Sequence, residues 1–113
     1  MKNNEFNANN ASLSVDLSEA RQAVKENRFQ DALDLFEIIL KDNPDHIDSL
    51  YLASVSSRYL KNFDESKKFI ERLMIIAPDM GRAYQELGHI YRDMGNIDKA
   101  VIHYRQACEL NPA

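Results

Sequence analysis

The prolines of this chain lie at a fixed interval. Pro44, Pro78 and Pro112 are the only prolines, and each lies 34 residues after the one before. Counting back from each proline gives matched columns of apolar or small residues: Phe29, Phe63 and Ile97; Ala32, Ser66 and Ala100; Phe36, Ile70 and Tyr104; Ile39, Leu73 and Ala107. A period of this length is typical of solenoids, in which one supersecondary unit is repeated and stacked. The spacing therefore predicts three copies of one unit.

The apolar pattern predicts that each unit is a helical hairpin. Three glycines and three prolines in 113 residues leave little room for loops, which favours an all-α fold. We predict helices over residues 13–26, 30–42, 47–60, 64–76, 81–94 and 98–110. The repeats then cover about 13–46, 47–80 and 81–113, in one domain of residues 13–113 that follows a disordered, Asn-rich leader over residues 1–12.

Short polar side chains lie where these helices should begin. Asp45 and Asp79 follow prolines and are predicted to cap the next helix, because a carboxylate accepts hydrogen bonds from free N–H groups. Asn62 and Asn96 are predicted to cap the second helices of repeats two and three. In each hairpin, a small residue on the first helix should allow close contact with a small residue on the second.

The turn inside each hairpin needs a residue that tolerates a positive φ. Gly95 meets this need well and Asn27 meets it less well. Lys61 does not, so the pattern predicts a strain of about 1 kcal/mol in the middle turn. Phe36 should point into the core, where its loss would cost about 3 to 5 kcal/mol.

The third repeat resembles the tetratricopeptide repeat family. The resemblance rests on an ordered set of positions, with an aromatic residue in place of the family's tryptophan: Tyr84, Leu87, Gly88, Tyr91, Ala100, Tyr104 and Pro112. It implies a right-handed α-solenoid that acts as a protein-binding scaffold without enzymatic activity. The run over residues 77–88 is also similar to repeats that precede a sulfotransferase domain in some bacterial proteins. That similarity implies an alternative, a recruitment module of a larger enzyme with no activity of its own.

The family binds ligands on a concave face lined by the first helix of each repeat. The resemblance selects these positions: Ser14, Leu17, Arg21, Val24 and Lys25; Asp48, Tyr51, Val55, Arg58 and Tyr59; Arg82, Gln85, His89, Arg92 and Asp93. Five are basic and two acidic, so the groove carries about +3 in a chain of net charge -4. We predict a groove for an acidic or carboxylate-bearing peptide, because arginines form charge-assisted pairs with carboxylates. Its predicted contacts are Arg21, Lys25, Tyr51, Val55, Arg58, Tyr59, Arg82, Gln85, His89 and Arg92.

Other interpretations of the basic groove remain open. The arginines could pair with local acids, for example Arg92 with Asp93 or Arg82 with Asp48, and form only a solvated face. A polyanion such as nucleic acid is a weaker alternative, because the net charge of -4 gives no general attraction to it. The tyrosines could equally pack between neighbouring helices.

A known subtype of the family clamps the terminal carboxylate of chaperone tails. The residues at its clamp positions here are Leu17, Arg21, Leu52, Arg82 and Glu86. Of these only Arg82 keeps the clamp's residue type, and Glu86 has the opposite charge. The sequence therefore argues against that clamp and leaves open a different carboxylate site.

No pattern for catalysis, a metal or a cofactor is evident. His46, His89 and His103 fall on different helical regions, and a structural or solvent-exposed role is favoured over metal binding for each. Cys108 is the only cysteine, so no intramolecular disulfide is possible and a packing thiol is expected. The first ten residues lack the apolar run of a signal peptide. We therefore expect a cytoplasmic, non-enzymatic chain without a membrane segment.

The last predicted helix leaves one side of the stack uncovered. Family arrays commonly end in an extra helix that covers this side. Three occupants are considered: a continuation of the chain, a second copy of it, or a partner.

Overall fold

A computed structural model describes residues 17–111. This part of the chain forms six helices and no strand: α1 (17–25), α2 (Phe29–Asp42), α3 (Ile47–Tyr59), α4 (Phe63–Ile76), α5 (Gly81–Asp93) and α6 (Ile97–Leu110). The all-α repeat fold is confirmed, and the predicted helix ends that can be compared lie within one residue of those observed. The Asn-rich leader, Ser14 and Pro112 lie outside the described residues.

The helices form hairpins that stack in chain order. Each helix from α2 to α6 packs against the next one, and α3 also contacts α5 directly. By contrast, the backbone of α4 comes close to neither α2 nor α6 within the described part of the chain, although the side chain of Phe69 on α4 packs against the apolar cluster that includes Leu33 of α2. The odd-numbered helices therefore lie closer together and line the inner, concave side of an array with extents of 56 × 26 × 23 Å.

The predicted small-residue columns lie where each hairpin closes. Ala20, Ala32 and Ala100 are buried. Gly88 leaves room for the ring of Tyr104, because a Cβ at residue 88 would lie 2.6 Å from the nearest ring atom. In the middle hairpin the hydroxyl of Ser54 donates to the Ser66 carbonyl at 2.9 Å. The hydroxyl of Ser66 in turn donates to the carbonyl of residue 54 at 2.7 Å. Small side chains thus bring the paired helices into close contact.

The large apolar columns form the core, as predicted. Phe36 and Ile70 are fully buried, together with Ile39 and Leu73. Tyr104, in the same column as Phe36, is only half-buried. The reason is that no helix among the described residues packs on the outer side of α6.

All three turns within the hairpins share one geometry. Asn27, Lys61 and Gly95 have φ values of 60°, 65° and 85°. At the middle turn the N–H of Lys61 donates to the Arg58 carbonyl and that of Asn62 donates to Ser57, both at 2.9 Å. This pair of bonds is a Schellman motif. Lys61 therefore takes the predicted left-handed conformation, although it has a side chain that disfavours it.

The predicted aspartate caps are wrong. The residue before α3 is His46, whose Nδ1 accepts a hydrogen bond from the Ser49 N–H at 3.2 Å. The residue before α5 is Met80, which has no capping side chain. Each helix begins one residue later than the aspartate caps require. Of the predicted asparagine caps, Asn96 accepts from the Lys99 N–H at 3.2 Å, whereas Asn62 holds the cap position without such a bond.

Candidate functional site

The candidate site is the concave face formed by α1, α3 and α5. Nine of the ten predicted peptide contacts are exposed or half-buried there, and the tenth, Arg58, is buried. The side chains that could contact a ligand are linked to one another across the helices. Three contacts between helices determine which basic side chains remain available to a ligand.

Arg58 is part of a buried ion-pair network and does not face the groove freely. It is 7% exposed, and its Nε lies 2.6 Å from a carboxylate oxygen of Glu86, which is 1% exposed. A second contact, Nη2 to Glu86 at 3.3 Å, makes the pair bidentate, and Nη1 donates to Asp93 at 3.0 Å. We therefore correct its assignment: Arg58 joins α3 to α5, because each of its three side-chain nitrogens contacts an acid and the side chain is buried.

The charges of this network support an ionised state. Burial alone would lower the pKa of Arg58, but its bonds to Glu86 and Asp93 raise that pKa above the usual value. Burial raises the pKa of Glu86, and the bonds from Arg58 oppose that rise. Burial also acts upward on Asp93, yet the bonds from Arg58 and Arg92 hold its pKa below the usual value. Since both acids accept short charge-assisted bonds, we describe the network as ionised.

Arg21 and Asp48 form an open pair at the other end of the groove. The Nη2 of Arg21 lies 2.6 Å from the Asp48 carboxylate, and both side chains are about half exposed. An exposed pair of this kind contributes about 0 to 1 kcal/mol. A ligand carboxylate can therefore compete for Arg21 at small cost. An arginine does pair with a local acid here, as the alternative interpretation predicted. The partner of Asp48, however, is Arg21 and not Arg82.

Arg82 is an exposed cation in the first turn of α5. Its guanidinium lies over the ring of Tyr51 at 4.4 Å from the centroid, and no ion pair involves it within residues 17–111. A cation–π contact of this kind holds the guanidinium over the ring without using its N–H donors, so they are free to bind a carboxylate. Gln85 is exposed one turn further along α5.

Arg92 and His89 lie at the far end of α5. Arg92 contacts Asp93 at 2.9 Å and lies 3.3 Å from Nδ1 of His89. The same Nδ1 lies 2.7 Å from the hydroxyl of Tyr104. Because arginine only donates, Nδ1 accepts, and the His89 N–H is at Nε2. Burial, together with Arg58 and Arg92, lowers the pKa of His89, so the neutral ring is favoured.

The remaining predicted contacts differ in availability. Tyr59 is 56% exposed, but its ring stacks on Phe29 with centroids 4.4 Å apart, and Arg58 lies over it at 4.7 Å. Lys25 is exposed on α1, and Val55 is half-buried on α3. The contact with Phe29 thus covers one face of the Tyr59 ring. The basic side chains that remain available to a ligand are Lys25 and Arg82.

Glu86 is the residue of this region whose role the sequence did not indicate. Glu86 occupies the position that Leu52, a half-buried residue, occupies in the preceding repeat. A charged side chain thus lies where an apolar one packs. An acid at such a column implies a buried basic partner. That signal could have identified the pair with Arg58.

The described residues show no other chemical site. In residues 17–111 no three His, Cys, Asp or Glu side chains are arranged to hold a metal ion. Cys108 is exposed on α6, not packed as predicted. None of the described helices combines the length and hydropathy needed to cross a bilayer.

Comparison with known proteins identifies the repeat. Residues 81–113 match the tetratricopeptide repeat family. Cell division cycle protein 27 homolog A of Arabidopsis thaliana is 30% identical over 87 residues, which are 76% of this chain but only 12% of that protein. The chain therefore spans about one eighth of this curated relative.

Solved structures share the fold at low sequence identity. MamA has a TM-score of 0.83 and 21% identity, over 88% of this chain and 59% of that one. The first tetratricopeptide domain of Spaghetti (RPAP3), bound to the HSP90 peptide SRMEEVD, has a TM-score of 0.81 and 16% identity, over 90% and 81%. The Sgt2 domain of Aspergillus fumigatus has a TM-score of 0.81 and 19% identity, over 88% and 66%. The chain thus has the fold of the tetratricopeptide solenoids, and its third repeat carries that family's sequence pattern.

Proposed function

We propose that this chain is a protein-interaction scaffold whose concave groove binds an acidic or carboxylate-bearing peptide segment. The observation that carries the proposal is the exposed guanidinium of Arg82, stacked on Tyr51 with no acidic partner among residues 17–111. Such a group is oriented before binding, so a ligand carboxylate gains two parallel hydrogen bonds at small entropic cost.

The neighbouring residues support the same ligand chemistry. Gln85 offers an amide donor one turn from Arg82, and Lys25 adds an exposed charge on α1. Arg21 becomes a further contact if the ligand displaces Asp48 from a half-exposed pair. Arg58 is left out of the proposed contacts because it is buried. A solenoid of the same fold has been solved with the HSP90 peptide SRMEEVD bound, which supports a peptide as the ligand of this groove.

Fluorescence anisotropy with three labelled heptapeptides tests the proposal. One peptide is rich in Glu and Asp with a free C-terminal carboxylate, the second is its C-terminal amide, and the third has Gln and Asn in place of the acids. We expect the acidic peptides to bind and the neutral one not to bind. Arg82→Gln should weaken binding about tenfold, the effect of losing one charge-assisted pair.

Arg72→Gln is the matched control. Arg72 is a half-exposed arginine on α4, outside the groove, and its nearest acid is Asp45 at 3.5 Å. The substitution makes the same change in net charge and should leave binding unchanged. If no acidic peptide binds, or if both variants weaken binding equally, the groove is not the site.

A second candidate is a recruitment module within a larger protein, such as one with a sulfotransferase domain. It is favoured by the small share of the Arabidopsis relative that the chain spans. An immunoblot of the native polypeptide separates the two candidates. A mass near 13.0 kDa supports an independent adaptor, whereas a much larger mass supports a module that positions a substrate or packs on another domain.

A further inference from the structure

The outer face of α6 carries an apolar pair between two opposite charges. Asp98, Val101, Ile102 and Arg105 follow the spacing i, i+3, i+4 and i+7, so they form one stripe along the helix. All four are exposed, Val101 at 39% and Ile102 at 53%. Neither Asp98 nor Arg105 takes part in an ion pair within residues 17–111. The stripe faces away from α5, which α6 contacts through Ala100 and Tyr104.

The same positions of the preceding repeat are different in character. The counterparts of this stripe on α4 are Asp64, Lys67, Lys68 and Glu71. Two lysines thus stand where α6 has Val101 and Ile102. On α2 the counterparts of the apolar pair are Leu33 and Asp34, and Leu33 is buried in the core. Lys67 is half-buried, with its Nζ 5.3 Å from the centre of the Tyr91 ring on α5. The column of Val101 therefore packs in the earlier repeats, whereas the column of Ile102 is charged and exposed in both. On α6 a packing position is thus exposed beside an isoleucine that replaces a charged residue, and this combination indicates a contact surface.

The order of the charges makes the stripe complementary to itself. If two copies of α6 cross antiparallel about a two-fold axis between Val101 and Ile102, each Asp98 faces the partner's Arg105. The apolar pairs then meet at the centre, with the charges at the rim. We propose that α6 is a self-association surface that joins two copies of this chain in an antiparallel, two-fold dimer.

Head-to-tail stacking of copies fits the structure less well. In such a stack the outer face of α6 would meet the outer face of α1. That face exposes Ser18, Glu19 and Gln22, so it would place polar side chains against Val101 and Ile102, where burial of a polar group is costly unless it is hydrogen-bonded. A two-fold contact of α6 with itself avoids this cost. It also leaves the concave groove open, so it is independent of peptide binding.

Sedimentation equilibrium between about 5 and 500 µM tests the proposal, because a contact through one helix pair is small and association should be weak. We expect the unmodified chain to dimerise in this range. Val101→Lys with Ile102→Lys copies the α4 residues and should keep the chain folded and monomeric. Circular dichroism at low concentration verifies folding of each variant.

Charge reversal tests the two-fold register itself. Asp98→Arg and Arg105→Asp should each raise the dissociation constant about tenfold, because two attractive contacts become repulsive. The double variant restores opposite charges across the axis and should regain most of the affinity. A chain that stays monomeric up to the highest concentration overturns the proposal. So does a dimer that survives the lysine pair, or a double variant no tighter than the singles.

Discussion

Lys61 has a side chain at a position where the backbone is left-handed, with φ of 65°. A residue with a Cβ pays about 1 kcal/mol there, which glycine does not. Lys61→Gly should therefore raise the free energy of unfolding by about 0.5 to 1 kcal/mol, measured by urea denaturation. Lys68→Gly is the control. It lies in the middle of α4, where glycine should cost about 1 kcal/mol, and equal effects of the two changes would contradict the assigned strain.

Ser57 and Ser56 bury hydroxyls that have no hydrogen-bond partner within the described residues. A buried hydroxyl without a partner costs about 1 to 3 kcal/mol. Ser57→Ala should therefore increase stability, by about 1 kcal/mol in thermal or urea unfolding. Ser54→Ala should do the opposite, because it removes the bond to the carbonyl of residue 66. A loss of stability in both variants would show that the Ser57 hydroxyl is satisfied in solution.

The contact between α3 and α5 depends on the buried pair of Arg58 and Glu86. Arg58→Ala leaves the Glu86 carboxylate buried without its partner, and should destabilise the fold by about 3 to 5 kcal/mol. Arg58→Met with Glu86→Leu removes both charges and should recover most of that loss. Arg21→Ala, which breaks an exposed pair, is the control and should cost at most about 1 kcal/mol. Urea denaturation of the four proteins measures the series; no recovery in the double variant would contradict it.

The helices themselves could be predicted because their signals are local. The 34-residue period, together with the positions equivalent to Phe36 and Ala32 in each repeat, predicts where every hairpin lies. That prediction needs no knowledge of how the hairpins pack. The prediction of the aspartate caps was wrong because α3 begins one residue later than a cap at Asp45 requires. A periodic pattern does not locate a helix end to within one residue. The buried pairing of Arg58 could not be predicted either. Its partner Glu86 lies 28 residues away in sequence and comes near only when the hairpins stack.

The stack is covered unevenly along its length, and this should appear in its dynamics. In α4 three residues are buried, whereas in α6 only Ala100 is. Stability in a repeat array is the sum of each unit and its contacts with neighbours. Amide hydrogens of α6 should therefore exchange at least about tenfold faster than those of α4. Hydrogen exchange at low protein concentration, where copies do not associate, measures this; equal protection of the two helices would contradict it.

At the scale of the whole array, the two hydroxyls of Ser54 and Ser66 have a mechanical consequence. In the first hairpin alanine meets alanine by contact alone, and in the third the Tyr104 hydroxyl and His89 Nδ1, 2.7 Å apart, form a side-chain link between α5 and α6. The reciprocal bonds of the middle hairpin are directional, so they fix the axial offset between α3 and α4. When the array is stretched, we therefore expect the helices of the first hairpin to shift along each other before those of the middle one.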